Sequence, residues 1–301
     1  VDAIGFHYRT NATDDYIKMA DVNDKEVWYS EGCATFGYSE LQENKTTEYG
    51  ANTIGGYQSP LALLDSIPNA FVGSRRTMYM FQPAIGSFYE GIQYGHKELL
   101  SARDPWSGYI HYDPVLYMLA HITQFAKTGW ENDTNTNGIW RVLPNATFAS
   151  FGASDNEHAT AGIDGNASYM TLAAPDKKDF STVFINNTQN EKTFAIKVAD
   201  DMDISVKALH VWTTVTDSYL QKGEDAAIEN GIATITVPAY SVVTATTLDT
   251  TPARFPTEKD DGDYIQTGTR SVLDTDSTGK NANTTDEYLY ADNFEYVEEG
   301  K

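Results

Sequence analysis

The chain has 301 residues and a formal net charge of −22. Such an acidic surface repels phosphate backbones and offers no basic patch for an anionic membrane, which argues against binding to nucleic acid or to membrane surfaces. The single cysteine, Cys33, excludes an internal disulfide, and no run approaches the roughly 20 apolar residues of a transmembrane helix.

Three short runs at the start of the chain are predicted strands, because each combines apolar and aromatic residues. They cover residues 1–8, 25–31 and 77–82, and each ends in polar side chains. In the second run, Glu31 is followed by small residues that leave open space beside its carboxylate. Catalytic side chains of a (β/α)8 barrel lie at the C-terminal ends of its parallel strands, so this pattern predicts part of such a barrel.

Helices are predicted between these strands and after them. Residues 14–20 form a short one, and residues 58–72 form a longer one in which Pro68 predicts a break or kink. Residues 37–56 are polar and glycine-rich, which indicates a long loop. A clearer helix starts with Asp113 as N-cap and Pro114 at its first position, and Gly129 predicts its end.

The pattern changes after about residue 131 to short alternating runs separated by turns, which predicts a β-sandwich. Asn230-Gly231 is a strong hairpin signal between two of these runs. The predicted strands cover residues 169–173, 180–186, 193–198, 205–213, 232–237 and 241–248.

The first residue lies inside a predicted strand and no leader precedes it, so we expect a piece of a longer protein. The last fifty residues are polar and acidic like a linker, and residues 288–297 regain aromatic character like the start of another module. Few Lys and Arg beside many Thr, Asn and Tyr are typical of an exported microbial protein. We therefore expect a secreted, extracellular protein.

At this point the sequence resembles glycoside hydrolase family 59, the galactocerebrosidases. The resemblance rests on separated stretches that keep their order over about residues 1–250. They are Ile4-Gly5-Phe6-His7-Tyr8, Trp28-Tyr29-Ser30-Glu31, Phe88-Tyr89-Glu90-Gly91-Ile92-Gln93-Tyr94-Gly95, Asp104-Pro105-Trp106-Ser107-Gly108, Ala120-His121-Ile122-Thr123-Gln124-Phe125, Gly129-Trp130 and Val211-Trp212-Thr213.

The resemblance implies three domain segments. Residues 1–130 would be the C-terminal part of a (β/α)8 barrel, from its sixth strand to its eighth, so the rest of the barrel would lie upstream. Residues 131–250 would be the β-sandwich. Residues 251–301 would be an acidic linker and the start of a lectin-like module.

The resemblance also implies a retaining exo-glycosidase that acts on a carbohydrate or glycolipid with a terminal β-galactose, without a cofactor or a metal. Glu31 matches the family's nucleophile, although the residue pattern alone also fits a solvated Glu at a strand end. The acid/base Glu belongs to the fourth barrel strand, upstream of Val1, and Asp2, Glu26 and Glu90 do not match it. We therefore expect residues 1–301 alone to be inactive.

Five other residues are candidate substrate contacts. His7 and Tyr8 match the family's pair on the sixth strand, where the Tyr would orient the nucleophile; a buried pair bonded to backbone is the alternative. Tyr94 matches a sugar-contacting Tyr, but a lone aromatic also fits a core. Trp106 fits sugar stacking or, in preference, packing of the last barrel loop. Gln82 stands where the family has a Trp under the sugar.

Other residues mark structural roles and departures from the family. His121 lies in a predicted helix beside apolar residues and is expected to be structural, and Cys33 is expected to line the pocket. Ala34 replaces a Ser, and no Arg lies between residues 141 and 254, where the family uses a sandwich Arg on substrate. Two alternatives stay open: a non-catalytic carbohydrate-binding protein, and a clan-related hydrolase of glucosides or xylosides.

Overall fold

A computed structural model describes residues 1–7, 12–33, 54–55, 59–81, 84–86, 99–102, 110–126, 140–150, 166–253 and 255. Its elements are mixed α/β with more strand than helix. The N-terminal unit, residues 1–126, carries a parallel sheet and three helices. The C-terminal unit, residues 140–253, is one large antiparallel sheet.

The N-terminal unit contains a three-stranded parallel sheet in the order β1-β2-β3. Its strands are β1 (Ala3–His7), β2 (Glu26–Cys33) and β3 (Arg76–Phe81). The three strand predictions are therefore confirmed to within two residues at each end. All three strands point the same way, so their C-terminal ends meet at one edge of the sheet.

Helices connect and cover these strands. Helix α1 (Asp14–Val22) joins β1 to β2, and α2 (Pro60–Ser74) precedes β3. Ser59 caps α2, since its side chain accepts a hydrogen bond from the Ala62 N–H at 3.2 Å. The predicted break at Pro68 was wrong: α2 continues for six residues beyond it and ends where Arg75 turns left-handed, with φ 53°.

Helix α3 (Pro114–Thr123) begins as predicted, with Asp113 in the N-cap position and Pro114 next. It ends earlier than predicted, at Thr123, with Gln124 in the C-cap position. Gly129, the predicted end, lies outside the described residues. The short strands β4 (Ile85–Gly86), β5 (Leu100–Ser101) and β6 (His111–Tyr112) form a small separate sheet before it.

The C-terminal unit is a nine-stranded antiparallel sheet in the order β10-β14-β13-β11-β15-β9-β8-β7, with β12 paired to β11. The strands are β7 (Arg141–Val142), β8 (Ser168–Ala173), β9 (Phe180–Asn186), β10 (Lys192–Lys197), β11 (Ala208–Val215), β12 (Ser218–Lys222), β13 (Ala226–Glu229), β14 (Ile232–Val237) and β15 (Ser241–Thr246).

The sheet is curled, as the contact between Phe194 on edge strand β10 and Phe184 on β9 shows, with ring centroids 4.7 Å apart. The predicted hairpin is confirmed: Asn230 and Gly231 both have positive φ, 51° and 76°, as a type I′ turn requires. The strand predicted from residue 205 starts only at Ala208, and the strands β12 and β13 were not predicted.

The two units share one hydrophobic core. Leu61, Leu64 and Ile67 of α2 and Met118 of α3 are buried together with residues of β8, β9 and β15. Just after α3, Phe125 extends the contact between the two units, since its ring centroid lies 5.8 Å from that of Trp212 on β11. Helices α2 and α3 therefore hold the parallel sheet against the curled sheet.

His121 of α3 is fully buried at this junction and bonds both its ring nitrogens to the curled sheet. Nδ1 lies 2.8 Å from Thr244 Oγ1, and Nε2 lies 2.7 Å from Thr214 Oγ1. Thr244 donates its hydroxyl proton to the His121 carbonyl, and Thr214 accepts from the Leu220 N–H, so the neutral Nδ1–H tautomer satisfies every group. Burial lowers the pKa of His121 to about 3.

Among the described residues, no helix is both long and apolar enough to cross a membrane.

Candidate active site

Glu31 and His7 lie side by side where two parallel strands end. In the β1–β2 register, His7 is the partner of Glu31, and His7 Nδ1 is 3.4 Å from Glu31 Oε2. The Glu31 side chain is about one-third exposed and the His7 side chain is 60% exposed. The carboxylate is thus accessible to a substrate, and the imidazole beside it can hold its orientation.

An irregularity in β2 places Glu31 opposite His7. Phe6 pairs with Tyr29, but the next residue of β1, His7, pairs with Glu31, so Ser30 is an extra residue in β2. Since side chains alternate along a strand, Glu31 would otherwise share the face of Tyr29, which packs on α2. A bulge of this kind re-aims side chains, and bulges are common beside active sites.

Gly5 makes room for the extra residue. A Cβ atom on Gly5 would lie 2.7 Å from Ser30 Oγ and 3.2 Å from Ser30 Cβ, so a larger residue would displace Ser30. Ser30 Oγ donates a hydrogen bond to the Phe6 carbonyl at 3.3 Å, which ties the bulge to β1. The sequence pair Gly5 and Ser30 therefore fixes the position of Glu31 relative to His7.

Buried side chains pack around Tyr29 on the face of β2 that is turned towards helix α2. The Tyr29 ring is buried, and the Tyr79 ring of β3 meets it edge-on with centroids 5.9 Å apart. The Arg76 guanidinium lies 4.6 Å above the Tyr29 ring and is itself 2% exposed. This cation–π contact anchors the strand two residues before Glu31.

Asp2 and Glu26, the two described carboxylates considered as an acid/base partner of Glu31, lie at the N-terminal edge of the parallel sheet, opposite Glu31. Glu26 is five residues earlier on β2, which places it about 17 Å away at the usual strand rise. Asp2 precedes Ala3, the partner of Glu26 in the register, so it also lies at the N-terminal edge. Neither can stand the about 5–5.5 Å from Glu31 that a retaining pair requires.

The other predicted site residues lie outside the described part of the chain. Tyr8, Gln82, Tyr94 and Trp106 belong to this group, as does Glu90, so their roles stay predictions. Cys33 is described only as the last residue of β2. Within the described ranges, no group of three His, Cys, Asp or Glu residues is placed to hold a metal ion.

The sequence singled out Glu31 and His7, which the structure places side by side, but not the residues that contact and position them. Gly5 and Ser30 belong to the stretches that resemble family 59 but received no role of their own, and neither did Arg76. The available signal was an Arg directly before the strand predicted over residues 77–82, since Arg is the residue that stacks on aromatic rings.

Glu31 and His7 lie at the C-terminal ends of parallel strands, which is where the active sites of (β/α)8-barrel enzymes lie. Residues 1–124 match the model of glycosyl hydrolase family 59. The resemblance noted in the sequence is thereby confirmed over these residues.

The similar curated proteins are galactocerebrosidases. The one from Canis lupus familiaris is 28% identical over 130 residues, which are 43% of this chain and 16% of the dog protein. The one from Salmo salar is 24% identical over 257 residues, 83% of this chain and 34% of the salmon protein. The chain therefore spans about a third or less of the length of these relatives.

A solved structure with a similar fold is the glycoside hydrolase family 30 subfamily 8 xylanase from Clostridium acetobutylicum. It superimposes with a TM-score of 0.50 at 14% identity, over 82% of this chain and 48% of the xylanase. This likeness concerns the fold and extends through both units.

Proposed function

We propose that the protein is a retaining exo-glycosidase that cleaves terminal β-galactosides, with Glu31 as its nucleophile. The observation that carries the proposal is the accessible Glu31 carboxylate beside His7 at the C-terminal edge of the parallel sheet. The match of residues 1–124 to the model of family 59 and the similarity to galactocerebrosidases support a glycosidase and a galactose-containing carbohydrate or glycolipid as substrate.

In this mechanism one Glu31 oxygen attacks the anomeric carbon of the terminal galactose. The glycosidic bond breaks as an acid protonates the leaving oxygen, and the sugar stays bound to Glu31 as an ester. The same acid, now a base, takes a proton from water, which attacks the anomeric carbon and releases galactose with Glu31 restored. His7 binds beside the carboxylate and orients it throughout.

In this proposal the acid/base carboxyl group lies on the fourth barrel strand, upstream of Val1, as the resemblance to family 59 implies. Asp2 and Glu26 stand at the opposite edge of the sheet from Glu31. The parallel unit would be the last part of a (β/α)8 barrel, and the curled sheet would be the β-sandwich that follows it. General acid catalysis contributes about 10² to 10⁴ in rate. Residues 1–301 expressed alone should therefore not turn over unactivated galactosides, and co-expression with the upstream barrel strands should restore activity.

The test compares Glu31→Gln with Glu26→Gln in the co-expressed, active form. Loss of a nucleophile removes the covalent route, so Glu31→Gln should lower kcat/KM for an aryl β-galactoside by at least about 10³-fold. Glu26 binds only the Trp28 indole N–H in its described contacts, at 2.7 Å, so Glu26→Gln should stay within about twofold. A similar loss in both variants, or activity in Glu31→Gln, would contradict the proposal. A panel of aryl galactosides, glucosides and xylosides assigns the sugar.

A non-catalytic carbohydrate-binding protein is the second candidate. It is favoured by the absence of a suitable second carboxylate among the described residues near Glu31. The two candidates differ in one feature of the adjoining sequence. A Glu on the fourth barrel strand supports the enzyme, and its replacement by a residue that cannot donate a proton supports binding alone.

A further inference from the structure

A cavity of about 420 Å³ opens in the curled sheet, away from Glu31. It lies between the two edges of the sheet, where β7 and β8 on one side face β10 on the other. Its apolar walls come from Leu143, Phe180, Ile196, Val198 and Met202. The volume is in the range of ordinary small-molecule sites.

The distribution of large and small side chains explains why the sheet leaves this space. At one end of β10, Phe194 fills the gap by meeting Tyr169 and Phe184, with ring centroids 5.8 Å and 4.7 Å away. Towards the other end the lining includes Ala173 and Ala199. Alanine cannot fill the roughly 10 Å between facing sheet layers, so the cavity stays open there.

Cationic groups surround the mouth of the cavity. Arg141 of β7, Lys197 of β10 and Lys177 of the β8–β9 turn all line it, and all three are exposed. Asp201 is the one carboxylate in the lining, and it is neutralised by Lys177, whose Nζ lies 2.6 Å from Asp201 Oδ2. This hydrogen bond and the charge of Lys177 lower the pKa of Asp201. Among the lining residues, three cations therefore stand against one carboxylate, whereas the whole chain carries a net charge of −22.

We propose that this cavity binds a monomeric amphiphilic anion, a carboxylate that carries an apolar chain. The chain would occupy the space between Phe180, Ile196 and Met202, and the carboxylate would lie between Arg141 and Lys197 at the mouth. Charged residues on edge strands also prevent sheets from associating edge to edge, which is the competing explanation for these two cations. That explanation requires no preference for anionic ligands. The site is independent of Glu31, because its lining residues all lie between positions 141 and 202.

The experiment measures saturable binding to the 301-residue chain of three probes with the same tail, each below its critical micelle concentration. The probes are dodecanoate, dodecyl maltoside and dodecyltrimethylammonium. Dodecanoate should bind the tightest, although the net charge of the protein favours the cation at low salt. Absence of saturable dodecanoate binding, or tighter binding of the cationic probe, would overturn the proposal.

Matched variants locate the binding. Ala199 lines the cavity, whereas Ala195, four residues earlier, is exposed and lies outside it. Ala199→Trp should reduce dodecanoate affinity by at least tenfold and Ala195→Trp should leave it unchanged. Equal affinity in both variants would overturn the assignment to this cavity.

Charge variants test the role of the cations. Arg141→Gln and Lys197→Gln should each weaken dodecanoate binding about two- to fivefold, as expected for exposed charge pairs, and leave dodecyl maltoside binding unchanged. Lys207→Gln, an exposed lysine outside the cavity, is the control. An equal effect of all three substitutions would show that general charge, rather than this site, determines binding. Glu31→Gln should bind dodecanoate normally whatever its effect on glycoside hydrolysis.

Discussion

The parallel sheet and the curled sheet differ in how they bury their strands. Every residue of β9 and β15 is buried, whereas β1 has no buried residue and β3 has one, Arg76. Strands that are enclosed on both faces contribute stability, and strands with an open face can present side chains to a ligand. The comparison indicates that the described residues enclose β9 and β15 of the curled sheet, whereas the parallel sheet keeps an open side, where the proposed function places the upstream barrel strands.

The contact between the two units makes the position of the parallel sheet, which carries Glu31, dependent on the curled sheet. Helix α2 packs on the Tyr29 side of the parallel sheet with one set of residues, and buries Leu64 against the curled sheet with another. A change in the shared core should therefore affect both units, while a change at the open face should affect the site alone. The following predictions test this difference.

The largest expected effect on stability is that of Leu64→Ala. Leu64 is fully buried in the shared core, so its truncation should lower the free energy of unfolding by about 2–5 kcal/mol. Val72→Ala, on the same helix but half-exposed, should stay within about 0.5 kcal/mol. Urea denaturation followed by circular dichroism measures both. Equal losses would show that α2 does not join the two units as described.

Acidification should weaken the junction through His121. Its pKa is about 3 in the folded protein and near 6.5 in the unfolded chain, so between these values the unfolded chain binds more protons. The free energy of unfolding should fall by about 1.4 kcal/mol per pH unit as the pH drops from 6.5 towards 3, beyond the effect of other groups.

The control for this pH dependence is His121→Gln, which cannot be protonated. The variant should be less stable than the parent at pH 7, because two threonine hydroxyls lose an ideally placed partner. Its unfolding free energy should depend less on pH between 6.5 and 4. An unchanged slope would mean that His121 does not determine the acid sensitivity of the junction.

The smallest expected effect concerns only the parallel sheet and the Glu31 site at its edge. Gly5→Ala would bring a methyl group against Ser30 and displace the bulge that sets Glu31 beside His7. Since small misplacements of catalytic groups are costly, kcat/KM should fall about tenfold, and the second change Ser30→Gly should recover much of it. Gly223→Ala is the control, because its added Cβ would have no neighbour closer than 3.8 Å. A loss of activity without recovery would contradict the positioning role of Ser30.

The sequence predicted elements well where local preferences and tertiary structure agree. The strands β9 and β14 match their predictions at both ends, since β-branched and aromatic runs are bounded there by turns. Strand β13 was missed because Ala226–Glu229 has little strand preference of its own and forms by pairing with β11 and β14. Helix α3 ends before the predicted Gly129, and directly after it Phe125 packs on Trp212, a contact that no local pattern reveals.

The site was predictable in part for the same reason. A carboxylate at the end of an aromatic strand pointed to Glu31, and the polar end of the first strand pointed to His7. Their proximity depends on the extra residue Ser30 and on the space above Gly5, which are properties of the pairing between two strands. A single strand sequence does not contain its register, so this part could only come from the structure.

The most direct test of the central claim is to trap the covalent intermediate on Glu31. The active, co-expressed form would be incubated with a 2-fluoro-galactoside bearing a good leaving group, digested, and mapped by mass spectrometry. We expect one fluorogalactosyl label, on the Glu31 carboxylate within Glu26–Cys33. A label on another residue, or an active enzyme that acquires no label, would contradict Glu31 as the nucleophile.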